Sequence, residues 1–396
     1  MTTPIAPPAP RTEGLRGLPA LIAAQVSLHA GITGMRVVGP LILLQAGASA
    51  AQVGVLLASF AVGPIVIAWW VGGHVDARGY RPPMAVALAL AFAAPVTGWG
   101  ASLLDGPVRF ALLCAAGALG GAAANAGLIT LQRTAARMAR DAAGLRGTFA
   151  WVGLAPSASN VLGPLAAGVL YDAVGPRGAL LALLVFPLLA AAIARAARPP
   201  PPPEARPSAA RVTLVQLLRN PTVRRMMIVD GLATGGWDAH AFFVPTLGHA
   251  RGLSATSIGA IYGLFAAGVV LVRATMPWVA HRLSEPVVLT VSLIATAGVF
   301  ALYPFGESAA YMAGCALALG MAIGIAQPMV LSTMHQAVED AQRGSVIALR
   351  TMWVNTNAVA LPVGLGAALA AFGPSALLWG IAAVIGSGAA AARPRR

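Results

Sequence analysis

Long apolar stretches separated by short polar segments run through almost the whole chain. Each stretch has about 20 residues or more, the length that a helix needs to cross roughly 30 Å of hydrocarbon. Six of them cover 18–46, 51–73, 82–104, 107–130, 147–171 and 175–196. Six more cover 224–247, 254–277, 286–305, 308–333, 344–371 and 374–392. The pattern predicts an all-α membrane protein with twelve transmembrane helices.

The second set of six stretches repeats the first. Residues 49–54 reappear as 254–259, and Pro40 reappears as Pro245, all at one shift of 205 positions (254 minus 49). This duplication predicts two pseudo-symmetric six-helix bundles. Membrane proteins built from two repeats place their substrate near the bilayer midplane, where the repeats meet. The pattern therefore favours a transporter.

Domain boundaries are expected where the apolar pattern starts and stops. The prolines at 199–203 interrupt it and predict a semi-rigid spacer. The predicted units are a cytoplasmic tail at 1–17, an N-terminal bundle at 18–197, a cytoplasmic Pro/Arg-rich linker at 198–222, a C-terminal bundle at 223–392 and a basic cytoplasmic tail at 393–396.

Composition and charge favour a membrane location. With 58% hydrophobic and 10% charged residues, the chain has more apolar surface than a soluble core could bury. Its basic residues are all arginine, and Arg109, Arg177 and Arg251 alone lie in or beside the odd-numbered gaps between stretches. The positive-inside rule then puts both termini in the cytoplasm. Since the net charge of +14 follows the topology, we expect no nucleic-acid binding. We expect a multi-pass protein of a bacterial inner membrane, without a removable signal peptide.

One face of the first predicted helix is polar. At about 100° per residue, Gln25, His29, Thr33 and Arg36 fall on this face. An ionisable group within a membrane span is costly and usually faces a cavity or a partner. We therefore take Arg36 and His29 as candidate substrate-site residues, although for His29 the favoured alternative is that a helix neighbour satisfies it.

The seventh predicted helix carries two acids, Asp230 and Asp238, on a shared face. Asp238 lies near mid-membrane, where desolvation favours a protonated carboxyl group, so it could carry a proton. Two alternatives are a permanent ion pair with Arg36 and a position near the outer mouth. Asp230 lies nearer the cytoplasm and is the weaker candidate.

Two further arginines lie within predicted helices 8 and 11. Arg273 and Arg350 have no acid on their own helices, so the interior would be slightly cationic and would suit an anionic substrate. The favoured alternative is that both extend to the cytoplasmic face or bond helix ends. Because Asn357 shares a helix face with Arg350, a cavity contact is also possible.

Residues 72–81 read Gly-Gly-His-Val-Asp-Ala-Arg-Gly-Tyr-Arg. This segment resembles the loop signature that follows the second helix in the major facilitator superfamily, with matches at Gly72, Asp76, Gly79 and Arg81. The arginine that usually follows the aspartate is replaced by Ala77. The resemblance implies the major facilitator fold and a conformational latch at Asp76.

The fifth apolar stretch is similar to the antiporter signature of drug-exporting members of that superfamily. The similarity rests on Gly163, Pro164 and Gly168, and generic packing of small residues is the alternative. The superfamily resemblance also implies that helices 1, 4, 7 and 10 line a central cavity. Asn125 and Gln327 would then represent helices 4 and 10 in that cavity.

The sequence contains no phosphate-binding loop, metal-ligand cluster or catalytic triad spacing. We therefore expect neither an enzyme nor a cofactor or bound metal. The leading hypothesis is a monomeric secondary transporter that exports a small amphipathic or anionic compound in exchange for protons by alternating access. The alternatives are uptake of an organic anion by proton symport and, from another class, a non-transporting membrane receptor or a membrane-embedded enzyme.

Overall fold

The computed structural model describes residues 17–138, 142–197, 199, 214–279, 284–339 and 342–392. Nearly all of the predicted N-terminal tail, most of the predicted linker and the predicted C-terminal tail lie outside these residues. Within the described part, the regular elements are all helices. The predicted all-α class is confirmed.

The first half forms six helices. They are α1 (Leu18–Gln45), α2 (Ala50–Arg78), α3 (Arg81–Ser102), α4 (Gly106–Met138), α5 (Ala142–Ala182) and α6 (Val185–Ala196). The second half begins with α7 (Leu214–Arg219), α8 (Pro221–Ala250), α9 (Ala255–Val279) and α10 (Glu285–Leu302), which a short 3-10 turn follows at Tyr303–Phe305. It ends with α11 (Ala309–Gly324), α12 (Ala326–Gln336) and α13 (Arg343–Ala392).

Two of these helices, α5 and α13, each turn a corner at a glycine. Gly175 has φ 73° and Gly373 has φ 74°, a conformation that side chains disfavour. In the described residues, nine helical segments are long and apolar enough to span a membrane. Dividing α5 and α13 at their corners adds two segments to these nine, and α8 adds one more. The total is twelve (9 + 2 + 1), consistent with the predicted number.

The helices extend beyond the apolar stretches that predicted them. The prediction ended helix 4 at residue 130, whereas α4 continues to Met138. Hydropathy marks only the part of a helix inside hydrocarbon, while backbone hydrogen bonds continue the helix into the polar interface. The sequence also did not predict the break at Ile325, which separates α11 from α12.

The two halves repeat the same close helix packing. A Cβ atom on Gly121 of α4 would overlap the Phe60 carbonyl oxygen of α2. In the second half, a Cβ atom on Gly320 of α11 would overlap the Phe265 carbonyl oxygen of α9. Phe60 and Phe265 differ by the same 205 positions as the sequence repeat. Equivalent glycines therefore let equivalent helices approach in both halves.

The halves meet along two related seams, α5 against α9 and α13 against α2. In the first seam, Gly168 faces the backbone of Ala255. In the second, Gly366 faces the backbone of Ala50, again with glycine against a helix N-terminus. We call the end of the molecule that carries the α1–α2 and α8–α9 turns the outer end, following the predicted orientation. Both seams are closed at this outer end.

Glycines in the inner halves of the seam helices have more space. A Cβ atom added at Gly73 of α2 or at Gly153 of α5 would meet no heavy atom outside its own stretch of helix within 4 Å. Near the outer end, the same addition at Gly54 would overlap the backbone of Pro362 in the other half. The contact between the halves is therefore tighter at the outer end than around these two inner positions.

Candidate functional site

A small cavity lies where the two halves meet. Its walls come from α1 and α5 of the first half and from α8 and α9 of the second. Its volume is about 30 Å³, close to the share of liquid volume taken by one water molecule. The polar and aromatic side chains that line it include Thr33, Arg36, Trp237, His240, Tyr262 and Phe265. The cavity is nearly closed in this conformation.

Arg36 supplies the positive charge of this cavity. It lies nine residues (45 minus 36) before the end of α1, or about 14 Å from that end at 1.5 Å per residue. Its Nε is buried and has no hydrogen-bond partner in the part of the chain that the structure describes, and its guanidinium carbon lies 5.5 Å from the centroid of the Phe60 ring. A buried guanidinium donor without an acceptor costs free energy. An anionic ligand in the cavity would satisfy that donor.

Aromatic rings form the wall contributed by the second half. His240 stacks on Phe265 with ring centroids 4.4 Å apart, and Trp237 meets the same ring edge-on at 4.6 Å. The Tyr262 hydroxyl donates to the Ala241 carbonyl oxygen. The cavity therefore presents a cation on one side and flat apolar surfaces on the other.

Asp238 lies next to Trp237 on α8 and is only 9% exposed. It forms no hydrogen bond or ion pair with any residue in the described ranges. The predicted alternative of a fixed ion pair between Asp238 and Arg36 is therefore not seen in this structure. The carboxyl group is therefore buried without a compensating hydrogen bond from any described residue, which is costly.

The other acid of α8, Asp230, pairs with Arg350 of α13. The Arg350 Nη2 donates to the Asp230 Oδ1 at 2.9 Å, and Asp230 is fully buried. In this structure Arg350 therefore bonds an acid inside another helix, whereas the favoured expectation placed it at the cytoplasmic face or at a helix end. Asn357 packs nearby, against Gly231 of α8. The sequence alone did not predict that α8 and α13 would be neighbours.

Arg273 and Gln327 bind each other across α9 and α12. Arg273 Nη2 donates to Gln327 Oε1 at 2.9 Å, and its Nε donates to the Gly324 carbonyl oxygen at 3.1 Å. That carbonyl lies where α11 ends. Arg273 therefore satisfies backbone freed by the break before α12, in line with the expectation that it bonds a helix end.

His29 and Asn125 lie apart from the cavity wall. The Nδ1 of His29 is buried without a hydrogen-bond partner, so no described residue satisfies this nitrogen. Asn125 donates from α4 to the Pro64 carbonyl oxygen of α2 at 3.3 Å. Its amide therefore joins two helices of the first half.

The segment expected to be a latch loop is mostly helical. Gly72 and Asp76 lie within α2, which continues to Arg78. Gly79 ends the helix at φ 77°, and Arg81 begins α3. The Asp76 side chain lies outside the described part of the structure, so its predicted latch role stays a prediction.

The connection between α2 and α3 is anchored by Tyr80. Its side chain is buried at 3% exposure, and its hydroxyl bonds to none of the described residues. Burial raises the pKa of Tyr80 above its ordinary value because the charged phenolate is poorly solvated there. The turn is therefore held to the first half by an apolar contact.

The three motif positions of α5 contact different neighbours. A Cβ atom on Gly163 would overlap the Thr33 hydroxyl of α1, so this glycine packs within the first half. Pro164 lines the central cavity. Gly168 faces the other half, at the α9 N-terminus. Two of the three positions therefore lie at the boundary between the halves.

Sequence reasoning missed Asp172, which lies one turn beyond Gly168. Its carboxylate accepts the backbone N–H of Ala255 at 3.1 Å and that of Thr256 at 2.7 Å, the first two amides of α9. The third amide of α9 is bonded by the local cap, Ser254. Asp172 thus caps a helix that belongs to the other half. An acid near the end of an apolar stretch was the only signal, and it did not identify the partner.

Comparison with known proteins decides the family. The family model of the Major Facilitator Superfamily matches residues 21–362. The chain belongs to the major facilitator superfamily. No curated protein sequence matches it significantly.

Solved structures of this superfamily show the same fold. The chain is 14% identical to the nucleoside transporter NupG, with a TM-score of 0.72 over 95% of this chain and 97% of that one. It is 13% identical to a bacterial homologue of the human lysosomal transporter Spinster, with a TM-score of 0.71 over 97% and 95%. It is 15% identical to the human organic anion transporter TETRAN, with a TM-score of 0.65 over 97% and 100%. At these identities the likeness shows the fold alone.

Proposed function

We propose that this membrane transporter moves a small amphipathic organic anion and couples that movement to protons. Arg36 carries the proposal, because its guanidinium lines a cavity shared by both halves and its Nε has no acceptor among the described residues. The anionic group of the substrate would bind Arg36, and its apolar part would pack on Trp237 and Phe265.

Alternating access would open and close this cavity. We propose that the conformation described here is closed outward, since the seams between the halves are tight at the outer end. Asp172 would hold that end shut through its bonds to the α9 N-terminus. The protein would act as a monomer in a bacterial inner membrane, with both termini in the cytoplasm.

Asp238 is the proposed proton carrier. It is buried without a hydrogen-bond or ion-pair partner among the described residues, on the helix whose Trp237 and His240 line the cavity together with Arg36. The Asp238→Asn variant is expected to bind substrate but to lose the dependence of transport on a proton gradient. Unchanged gradient dependence would contradict this role.

Export by proton antiport is the first candidate direction. It is supported by the similarity of Gly163, Pro164 and Gly168 to the antiporter signature, and by the position of two of these residues at the boundary between the halves. Proton symport of an organic anion is the second candidate. The position of Arg36 at the central cavity supports it, because an anion bound there would make protonation of a nearby carboxyl group such as that of Asp238 easier.

Inverted membrane vesicles with an acidic interior distinguish the two directions. Adding an aromatic carboxylate, such as salicylate from a panel of organic anions, should release interior protons if the protein is an antiporter. A symporter would carry protons inward with the anion. The absence of proton movement across the whole panel would contradict proton coupling.

Substitution of Arg36 tests the binding site directly. Arg36→Gln should weaken apparent affinity for the anion by about tenfold or more, the effect of losing one charge-assisted hydrogen bond. Arg36→Lys should retain part of the affinity. Arg78→Gln, at an exposed position at the inner end of α2, is the control. Equal affinity in all variants would place the anion site elsewhere.

A further inference from the structure

A second and larger cavity opens at the outer end of the first half. Its volume is about 430 Å³, within the range of small-molecule sites. The ends of α1, α3, α4 and α5 form its walls, and Arg109 and Arg177 line it. This cavity is separate from the central one, so a ligand could bind in it whether or not the proposed transport function is correct.

Both arginines are held in place by backbone carbonyl groups at the end of α3. The Nε of Arg109 donates to the Leu104 carbonyl oxygen at 2.6 Å. The Nε of Arg177 donates to the Ser102 carbonyl oxygen at 3.3 Å. Arg109 also pairs with Asp105, whose side chain is 91% exposed. The Nη atoms of Arg177 form no further hydrogen bond within the described residues. Two guanidinium groups are therefore positioned at one cavity, against a single exposed acid.

The repeat shows that the fold does not need these arginines. The corner at Gly175 recurs at Gly373 with almost the same φ, 73° and 74°, and a proline follows each glycine. At the shift of 198 positions that relates these glycines (373 minus 175), Ser375 replaces Arg177. The start of α11, which corresponds to the start of α4, contains no arginine at 309–312. The arginines are an addition to one half only.

Their position on the outer side is also unusual for this chain. Three arginines lie in the predicted outer gaps, and two of these three line the same cavity. Positive residues on that side oppose the charge bias that orients membrane proteins. A role in binding a ligand would account both for the position of these two arginines on the outer side and for their presence at the same cavity.

We infer that this cavity binds a phosphate group through Arg109 and Arg177. Two guanidinium groups on separate helices present N–H donors from different directions, which suits a tetrahedral oxyanion better than a planar carboxylate. The apolar side chain of Val174, which lines the cavity, is 56% exposed, and Leu103 and Val108, next in sequence to the lining residues Ser102 and Arg109, are 48% and 55% exposed. The phosphate could therefore belong to a phospholipid headgroup of the outer leaflet or to a soluble compound.

Thermal unfolding of the purified chain in detergent tests the site. The lipid probe is dihexanoyl phosphatidylglycerol, with dihexanoylglycerol as its phosphate-free control. The soluble probe is inorganic phosphate, with chloride at equal ionic strength as its control. The variants are Arg177→Gln, Arg177→Lys and the double variant Arg109→Gln with Arg177→Gln. Arg251→Gln, the third outer arginine, is the matched control. Each shift in unfolding temperature is measured from the same variant's unfolding midpoint without ligand. A loss of intrinsic stability therefore does not obscure the result.

The phosphate-bearing probe should stabilise wild type and Arg251→Gln. For Arg177→Gln, the same shift in unfolding temperature should need a probe concentration about tenfold higher. Arg177→Lys should fall between them, and the double variant should not respond. A response to phosphatidylglycerol alone assigns the phosphate to a lipid, whereas a response to inorganic phosphate assigns it to a soluble compound. The inference is wrong if neither probe stabilises wild type, or if the double variant responds as wild type does.

Discussion

The bond from Asp172 to the start of α9 offers the sharpest test of how the outer end stays closed. The carboxylate satisfies two backbone amides, at Ala255 and Thr256, that the helix itself cannot satisfy. These amides belong to the other half, so the bonds exist only while the halves touch. In Asp172→Asn the negative charge is lost, and a side-chain amide with a single acceptor oxygen remains.

The size of the effect can be worked out from the geometry. Removing a helix N-cap side chain typically costs about 1 kcal/mol. Asp172 is at an exposed position where water competes, so we use this value rather than that of a buried charge. A loss of about 1 kcal/mol from the closed state shifts the equilibrium about fivefold toward outward opening. The equivalent seam has no such acid, since Ala370 stands at the position related to Asp172.

Distances between spin labels at the outer end measure this shift. Labels on Ala46→Cys in the α1–α2 turn and on Ala250→Cys at the end of α8, both at exposed positions and in opposite halves, would report outward opening. The two native cysteines, Cys114 and Cys315, are free and would first be replaced by serine. In Asp172→Asn the population at the longer distance should increase about fivefold.

Glu307→Gln removes an outer acid from an exposed position in the second half and is the control. The control should leave the distance distribution unchanged. If Asp172→Asn gives the wild-type distribution, the carboxylate does not hold the outer end closed. If both variants shift equally, the effect is a general one of surface charge.

Two further predictions concern stability and closure. Asp230→Asn leaves Arg350 without its counterion, which should lower the unfolding free energy by about 2–4 kcal/mol given the partial exposure of the arginine. Thermal unfolding should show recovery when Arg350→Gln is added, and no recovery would contradict a pairwise origin. Gly54→Ala puts a Cβ atom into the Pro362 backbone and should open the outer end in the same spin-label measurement, whereas Gly73→Ala, in open space, should not. Equal distance distributions in the two glycine variants would refute this packing argument.

The sequence by itself determined the fold class and the pairing of equivalent positions. Apolar stretches of membrane length, together with a repeat at a shift of 205 positions, were enough, because the bilayer imposes helix length and backbone satisfaction everywhere. The repeat also predicted which helices would pack in the same way, as the equivalent contacts at Phe60 and Phe265 show. A polar face on α1 identified Arg36, because an ionisable group within a membrane span is costly and usually faces a cavity or a partner.

Only the tertiary structure decided which charged groups meet. Arg350 lies 120 positions from Asp230, and Asp172 lies 83 positions from Ala255, and no periodicity within a helix reports such distances. The structure also separated Arg36 from the ion pair suggested for it, and it brought Arg109 and Arg177 to one cavity. Local pattern fixes the face of a helix on which a residue lies. The crossing of helices distant in sequence fixes the residue that it meets.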